Sequence, residues 1–313
     1  MLVPPTFSSQ SEQIARIGDV AFWRPYVAAI LERHGLAGAG DEVAAGFNAT
    51  YPTFLHGDLV VKLFGGTRAW QAIYATERAA LALVATDEAI LAPRLIAAGE
   101  LFAGGEALWP YLVIRRVPGV AAWRAKLSAE QWRALAVDLG EQVRRIHALP
   151  ATGIAEEITL QPGEIEAAAM RSSLPPHLAA QAAGYAALLE PSAADRVVVH
   201  GDLVQNHAYV ADGRLVGIID WGDAMVTDRH YEIIQIYRDM FACDAALLRV
   251  FLDAYGWPRD AGFPRKALGH ALRRQAIGLG QHHTMDVFQP IAARLPLREI
   301  ATLDDLATRL FAV

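Results

Sequence analysis

The chain has 313 residues, 53% hydrophobic and 20% charged, enough to bury a sizeable core in one large domain or two lobes. Its net charge of −6 and pI near 5.9 exclude a phosphate-backbone binder from the expected classes, because nucleic-acid affinity rests on clustered Lys and Arg. The single cysteine, Cys243, allows no internal disulfide, the opening "MLVPPTFSSQ" lacks a signal peptide's basic and apolar regions, and no apolar run reaches the roughly 18 residues of a membrane helix, so a cytoplasmic protein without a membrane partner is expected.

In chain order, "AFWRPYVAAILERHG" carries apolar residues at helical spacing, with Gly35 placed to end the helix. From Val43 to Phe64 the period changes to three short strand-like runs, broken by "AGFNAT" and "HGD". A helix, "TRAWQAIYATERAALALVA", follows, and then "APRLIAAGELFAGGEALWPYLVIRRV" reads as strands with a Gly-Gly turn. Pro118 and Gly119 break the chain, and nearly everything beyond is helix-period except Arg196 to Ile219. The expected lobes are residues 1–117 and 118–313, with 151–192 a helical insertion in the second.

The pentapeptide HGDLV occurs at His56 to Val60 and again at His200 to Val204. The first copy lies between two β-prone runs, so Gly57 and Asp58 suit a tight hairpin turn. Just downstream, Lys62 sits inside the apolar strand "LVVKLF", where pattern alone predicts a head that snorkels to solvent. Glu77 on the next helix offers that ammonium a partner, and a paired, buried Lys suits phosphate oxygens.

The second copy follows the strand "RVVVHGDL" and precedes a hairpin, "AYVADGRLVGIIDWGD", that turns at Asp212 and Gly213 and ends on Asp220. His200, Asp202, Asn206, His207 and Asp220 are thereby collected in a small space. Close carboxylates are costly unless a cation neutralises them.

Lys62 on a strand, Glu77 on a helix, "HGDLVQNH" on a loop and "DWG" after a hairpin resemble the aminoglycoside phosphotransferase branch of the protein-kinase-like fold, over roughly Val43 to Ile234. The resemblance implies an α+β, bilobal architecture, with a β-rich nucleotide-binding first lobe and a largely helical second lobe holding the catalytic loop, metal site and acceptor cleft. It also implies transfer of the γ-phosphoryl group of ATP, or GTP, to a hydroxyl of a small molecule, with Mg2+ as cofactor. Lys62 would hold the α- and β-phosphates and pair with Glu77, Asp202 would be the catalytic base, and Asp220 would bind the metal. Gly46, Asn48 and Thr50 of "GFNATY" match the loop that covers the nucleotide, Arg115 and Val117 match backbone partners of the adenine, and "LGEQVRRIHALP" resembles the helix leading away from that hinge. By the same resemblance His200, Asp228 and Glu232 look like supports of the catalytic loop, although Glu232 stands where the family commonly carries aspartate.

The chain departs from the pattern where the family carries a metal-binding asparagine. That position holds His207, as in macrolide kinases, and Asn206 lies one residue early, so either can supply the second ligand. The chain after Asp220 is expected to turn quickly into helix, without the long activation segment of a protein kinase, and "DAMVTDRHYEI" resembles hygromycin kinases. No Walker motif is present. Two other functions stay open: a catalytically silent nucleotide-binding protein, and a metal-dependent hydrolase built on His200, Asp202, His207 and Asp220. The acceptor is open between polycationic aminoglycosides, which call for carboxylates, and apolar macrolides, which call for a hydrophobic groove.

Overall fold

The computed structural model describes residues 2–38, 42–47, 50–66, 69–102, 108–187, 192–281 and 285–312. Two compact units emerge, one made of Met1–Glu88, Ala92–Pro118 and Ile219–Asp223, the other of Ala89–Leu91, Gly119–Ile218 and Ala224–Val313.

The first unit opens with helices α1 (Gln10–Arg16) and α2 (Val20–Arg33). Asp19 caps α2 by accepting from the Phe22 backbone N–H, and Gly35 ends it at φ +65°, while the Leu36 N–H reaches back to the Leu31 carbonyl. Strands β1 (Val43–Ala45), β2 (Thr53–His56) and β3 (Leu59–Leu63) precede helix α3 (Trp70–Val84), and β4 (Leu95–Glu100) and β5 (Pro110–Arg115) complete an antiparallel sheet in the order β1-β2-β3-β5-β4. The Gly-Gly turn expected between β4 and β5 lies outside the described residues. Trp23, Tyr26, Ile30, Phe54, Val61, Trp109 and Tyr111 form a buried core between α2 and this sheet, which explains the unbroken apolar character of β3 and β5.

The second unit contains β6 (Val120–Ala121), α4 (Ala129–His147), α5 (Pro162–Met170), α6 (Pro176–Ala179) and α7 (Ala182–Ala187), then β7 (Arg196–Val199), β8 (Ala208–Ala211), β9 (Arg214–Ile218) and β10 (Met225–Asp228). Helices α8 (Ile233–Gln235), α9 (Ala245–Tyr255), α10 (Phe263–Gln281), α11 (Gln289–Ala292) and α12 (Leu303–Phe311) follow. Ser128 begins α4 with a reciprocal capping box to Gln131. Asp212 and Gly213 both take positive φ, 51° and 77°, as a two-residue hairpin turn between β8 and β9 requires.

The stretch after Asp220 differs from expectation. A strand, β10, comes before the helix and pairs antiparallel with β7 from Met225↔Val199 to Asp228↔Arg196. Four residues are too few to show a period in sequence, and what makes them a strand is the waiting edge of β7 together with the burial of Val226 and Thr227. Among the described residues no helix is long and apolar enough to cross a membrane.

Candidate active site

In the first unit the two-residue turn at Gly57, φ +55°, and Asp58 sets the register of β3 against β2 and β5. Asp58 is a turn residue as its context predicts, and its carboxylate pairs with Arg115 at the surface. The register carries Lys62 to the middle of β3, opposite Thr53 and Leu112, with the residue only 8% exposed. Its ammonium does not snorkel to solvent. Nζ lies 2.6 Å from Glu77 Oε2 and 2.8 Å from Asp220 Oδ1, and the faces of Tyr51 and Phe64 flank it at 5.8 and 5.4 Å. Burial alone disfavours this cation, but the Asp220 and Glu77 carboxylates outweigh it and hold the amine above its usual pKa. For Glu77 burial wins and pushes the carboxyl up, against the pull of Lys62.

Asp220 follows β9 in sequence yet groups with the first unit, because of this ion pair and because Trp221–Asp223 pack on α3. Asp220 takes a left-handed backbone, φ +65°, that a short polar side chain tolerates. Gly222 leaves the room for close approach, since a Cβ there would lie 2.8 Å from Ile73 Cγ2 and 3.7 Å from Glu77 Oε2.

Gly46 donates its N–H to the Thr53 carbonyl, and a Cβ on it would stand 3.0 Å from that oxygen. Thr50 is exposed, and Asn48 lies outside the described residues. At the end of β5 the Arg115 N–H already serves the Arg94 carbonyl, whereas the backbone of Val117 makes no hydrogen bond among the described residues.

In the second unit the strand β7 delivers its last buried residue, Val199, to the loop that begins at His200. Glu232 holds this loop from beneath: its Oε1 accepts the backbone N–H groups of His200 and Gly201 at 2.9 and 3.2 Å, and its Oε2 meets His147 Nε2 at 3.1 Å. Burial opposes the Glu232 charge, but His147 and these donors prevail and lower its pKa. His147 in turn contacts the Tyr255 hydroxyl at 3.0 Å, so α4 and α9 both brace the loop. His200 Nδ1 accepts the Asp202 N–H at 3.2 Å.

Asp202 is half-buried. Its Oδ1 accepts from the Gln235 side-chain amide at 2.5 Å and lies 3.6 Å from the Arg274 guanidinium. His207 Nδ1 donates to the Asp202 carbonyl at 2.7 Å and lies 3.4 Å from Oδ2. In a neutral imidazole that contact places the proton on Nδ1 and the lone pair on Nε2. Asn206 is half-buried, and its amide makes no hydrogen bond among the described residues.

Asp228 is engaged elsewhere. Its Oδ1 accepts from His230 N and Nδ1 at 2.9 and 2.6 Å, and Oδ2 lies 3.6 Å from His270, so burial of the Asp228 carboxyl is outweighed and its pKa falls well below the usual range. None of its hydrogen bonds among the described residues reaches positions 200–207. Asp195, Asp228 and His230 are the one group among the described residues whose ligating atoms lie close enough for a shared metal, whereas His200, Asp202 and His207 do not form such a group. Sequence reasoning missed Gln235, Arg274, His147 and Tyr255, since only a motif three-dimensionally anchored on Asp202 or Glu232 would single them out.

The model of the phosphotransferase enzyme family matches residues 42–267. An aminoglycoside 3'-phosphotransferase of Escherichia coli is 25% identical over 158 residues, 47% of this chain and 58% of the relative. A hygromycin-B 4-O-kinase of Escherichia coli is 36% identical over 72 residues, 22% of this chain and 20% of the relative. The chain thus spans less than two thirds of either curated relative. The solved GDP complex of wild-type aminoglycoside 2'-phosphotransferase-IIIa matches with a TM-score of 0.60 at 18% identity, over 92% of this chain and 99% of that one. The α+β, protein-kinase-like fold is therefore the observed fold.

Proposed function

Because the chain belongs to the phosphotransferase enzyme family, we propose that it is a small-molecule kinase that moves the γ-phosphoryl group of ATP or GTP to a hydroxyl of an antibiotic-like acceptor. The observation that carries this reading is the buried Lys62 ammonium between Glu77 and Asp220. A hydrolase has no use for such a group, whereas phosphoryl transfer rests on positioning and charge neutralisation.

On this reading Lys62, oriented by Glu77, binds the α- and β-phosphates, Gly46, Asn48 and Thr50 cover them, and Val117 with the Arg115 carbonyl meets the base. Asp202 takes the proton of the acceptor hydroxyl as its oxygen attacks phosphorus. Asp220, a hard oxygen donor, and His207 through Nε2 would hold a Mg2+, which would offset charge on the phosphates. A second reading of that ligand has its own support: the Asn206 amide is unengaged among the described residues and offers the oxygen that Mg2+ prefers. His200 and Glu232 hold the catalytic loop in shape.

The acceptor is proposed to be an aminoglycoside-like polyol, the class that the printed names of both curated relatives point to. The test is a panel of hydroxylated compounds, kanamycin and hygromycin B among them, incubated with γ-labelled ATP or GTP and Mg2+ and read for labelled product. Label found only in free phosphate would favour a hydrolase, and tight nucleotide binding with no turnover would favour a silent binder.

A further inference from the structure

The family match ends at residue 267, yet the carboxylate on which the proposed chemistry turns is held by a residue beyond it. Arg274 on α10 is 5% exposed. Its Nη1 donates to the Gly201 carbonyl at 2.8 Å, its guanidinium lies 5.1 Å from the Tyr231 ring centroid, and Asp202 is the one carboxylate within ion-pair distance of it among the described residues. A guanidinium this deeply buried is costly unless a countercharge faces it. Asp202 is that countercharge.

Gln235 on α8, 2% exposed, reaches the same oxygen. An ionised carboxylate only accepts hydrogen bonds, so the Gln235 amino group must face Asp202, since the flipped amide would set two acceptors against each other. In that orientation Gln235 Oε1 is buried with no hydrogen-bond partner among the described residues, and Arg274 Nε is likewise unpartnered among them. Both side chains are thus aimed at Asp202 and Gly201 rather than arranged to satisfy their own polar atoms.

We infer that Gln235 and Arg274 are positioning residues that clamp Oδ1 of Asp202 and thereby present Oδ2 to the acceptor. The step that follows balances: the acceptor oxygen bonds to the γ-phosphorus, the bond from that phosphorus to the bridging oxygen breaks, the nucleoside diphosphate leaves with the electron pair, and the hydroxyl proton passes to Oδ2. Freed from the clamp, the carboxylate can rotate about χ1 and χ2, and the hydroxyl loses its aligned acceptor. A misplacement of about 1 Å is worth up to roughly 10²-fold in rate.

The inference rests on Asp202 as the base, and the experiment separates the two. Arg274→Met, which keeps the apolar stem, Arg274→Lys and Gln235→Leu are compared with wild type for kcat and for nucleotide KM, using kanamycin, hygromycin B and water as acceptors, alone and combined with Asp202→Asn. In the wild-type background Arg274→Met and Gln235→Leu are expected to lower kcat about 10-fold or more with nucleotide KM within about 2-fold, and Arg274→Lys is expected to recover part of the loss. In the Asp202→Asn background the same changes are expected to have no further effect, because they act through the carboxylate. Equal losses in both backgrounds, or a loss that tracks thermal stability, would mean a merely structural role and would overturn the inference. If Asp202→Asn leaves turnover intact, or no acceptor and no water-dependent release of phosphate supports turnover, the reading of Asp202 fails and the inference falls with it.

Discussion

The same five residues, HGDLV, are spent in two ways. At positions 56–60 they end β2, make a two-residue turn and start β3, and the carboxylate of Asp58 pairs with Arg115 at an exposed surface. At positions 200–204 they form a loop whose backbone hangs on Glu232 and whose carboxylate is held by Gln235 and Arg274. Both glycines take positive φ, 55° and 82°, so local conformation is not what separates the copies. The partners are. In the first copy the flanking strands pair with each other, and nothing more is asked of the turn. In the second, β7 pairs with β10 instead, and the loop is left to the buried polar groups of α4, α8, α9 and α10.

The sharpest way to break this comparison is one substitution made twice. Asp202→Asn is expected to reduce turnover about 10²-fold or more, the typical contribution of a general base, and Asp58→Asn to change it by less than about 2-fold, since asparagine also suits a turn. Steady-state kinetics on both folded variants decides it, and the reverse pattern would exchange the roles of the copies.

The next largest effect lies just downstream of the first copy. Lys62→Ala and Glu77→Ala are each expected to weaken productive nucleotide use, with the double variant losing less transition-state stabilisation than the sum of the singles. Full additivity in kcat/KM would show that the pair does not act as a unit. It would also remove the main functional claim of the first copy's surroundings.

The support of the second copy should also carry a pH signature. The folded-state pKa of Glu232 is depressed from its ordinary 4.5, so its stabilising contribution is fully present above that value and lost as pH falls through the folded-state pKa. Removing one partner of such a buried set costs about 3–5 kcal/mol. Glu232→Gln is therefore expected to be less stable at neutral pH and to show a flatter decline in stability below about pH 4.5, measured by denaturant unfolding across pH. An unchanged acid limb would mean that the loop is held in some other way.

The smallest expected effect concerns the metal. Imidazole suits Mn2+ better than Mg2+, so with His207 as ligand His207→Asn should lower the Mn2+-to-Mg2+ activity ratio by a few-fold while Asn206→Ala leaves it near wild type. The opposite assignment of the two variants would make Asn206 the ligand.

By itself the sequence determined whatever depends on neighbours along the chain. The helical period and Gly35 mark α2, the alternation broken by Gly57 and Asp58 marks the β2–β3 hairpin, Asp212 and Gly213 mark a second one, and the order of Lys62, Glu77, Asp202 and Asp220 marks the family. Tertiary structure decided which of those groups became partners. It turned Met225–Asp228 into a strand by offering the edge of β7, buried Lys62 where its pattern alone allowed a snorkel, and grouped Asp220 with α3 across 158 residues of chain from Lys62. It also brought Gln235 and Arg274 to the loop that carries Gly201 and Asp202 from 33 and 73 residues away. A buried carboxylate or guanidinium must find its partner in space, and a partner that far along the chain leaves no local period or spacing by which it could be read.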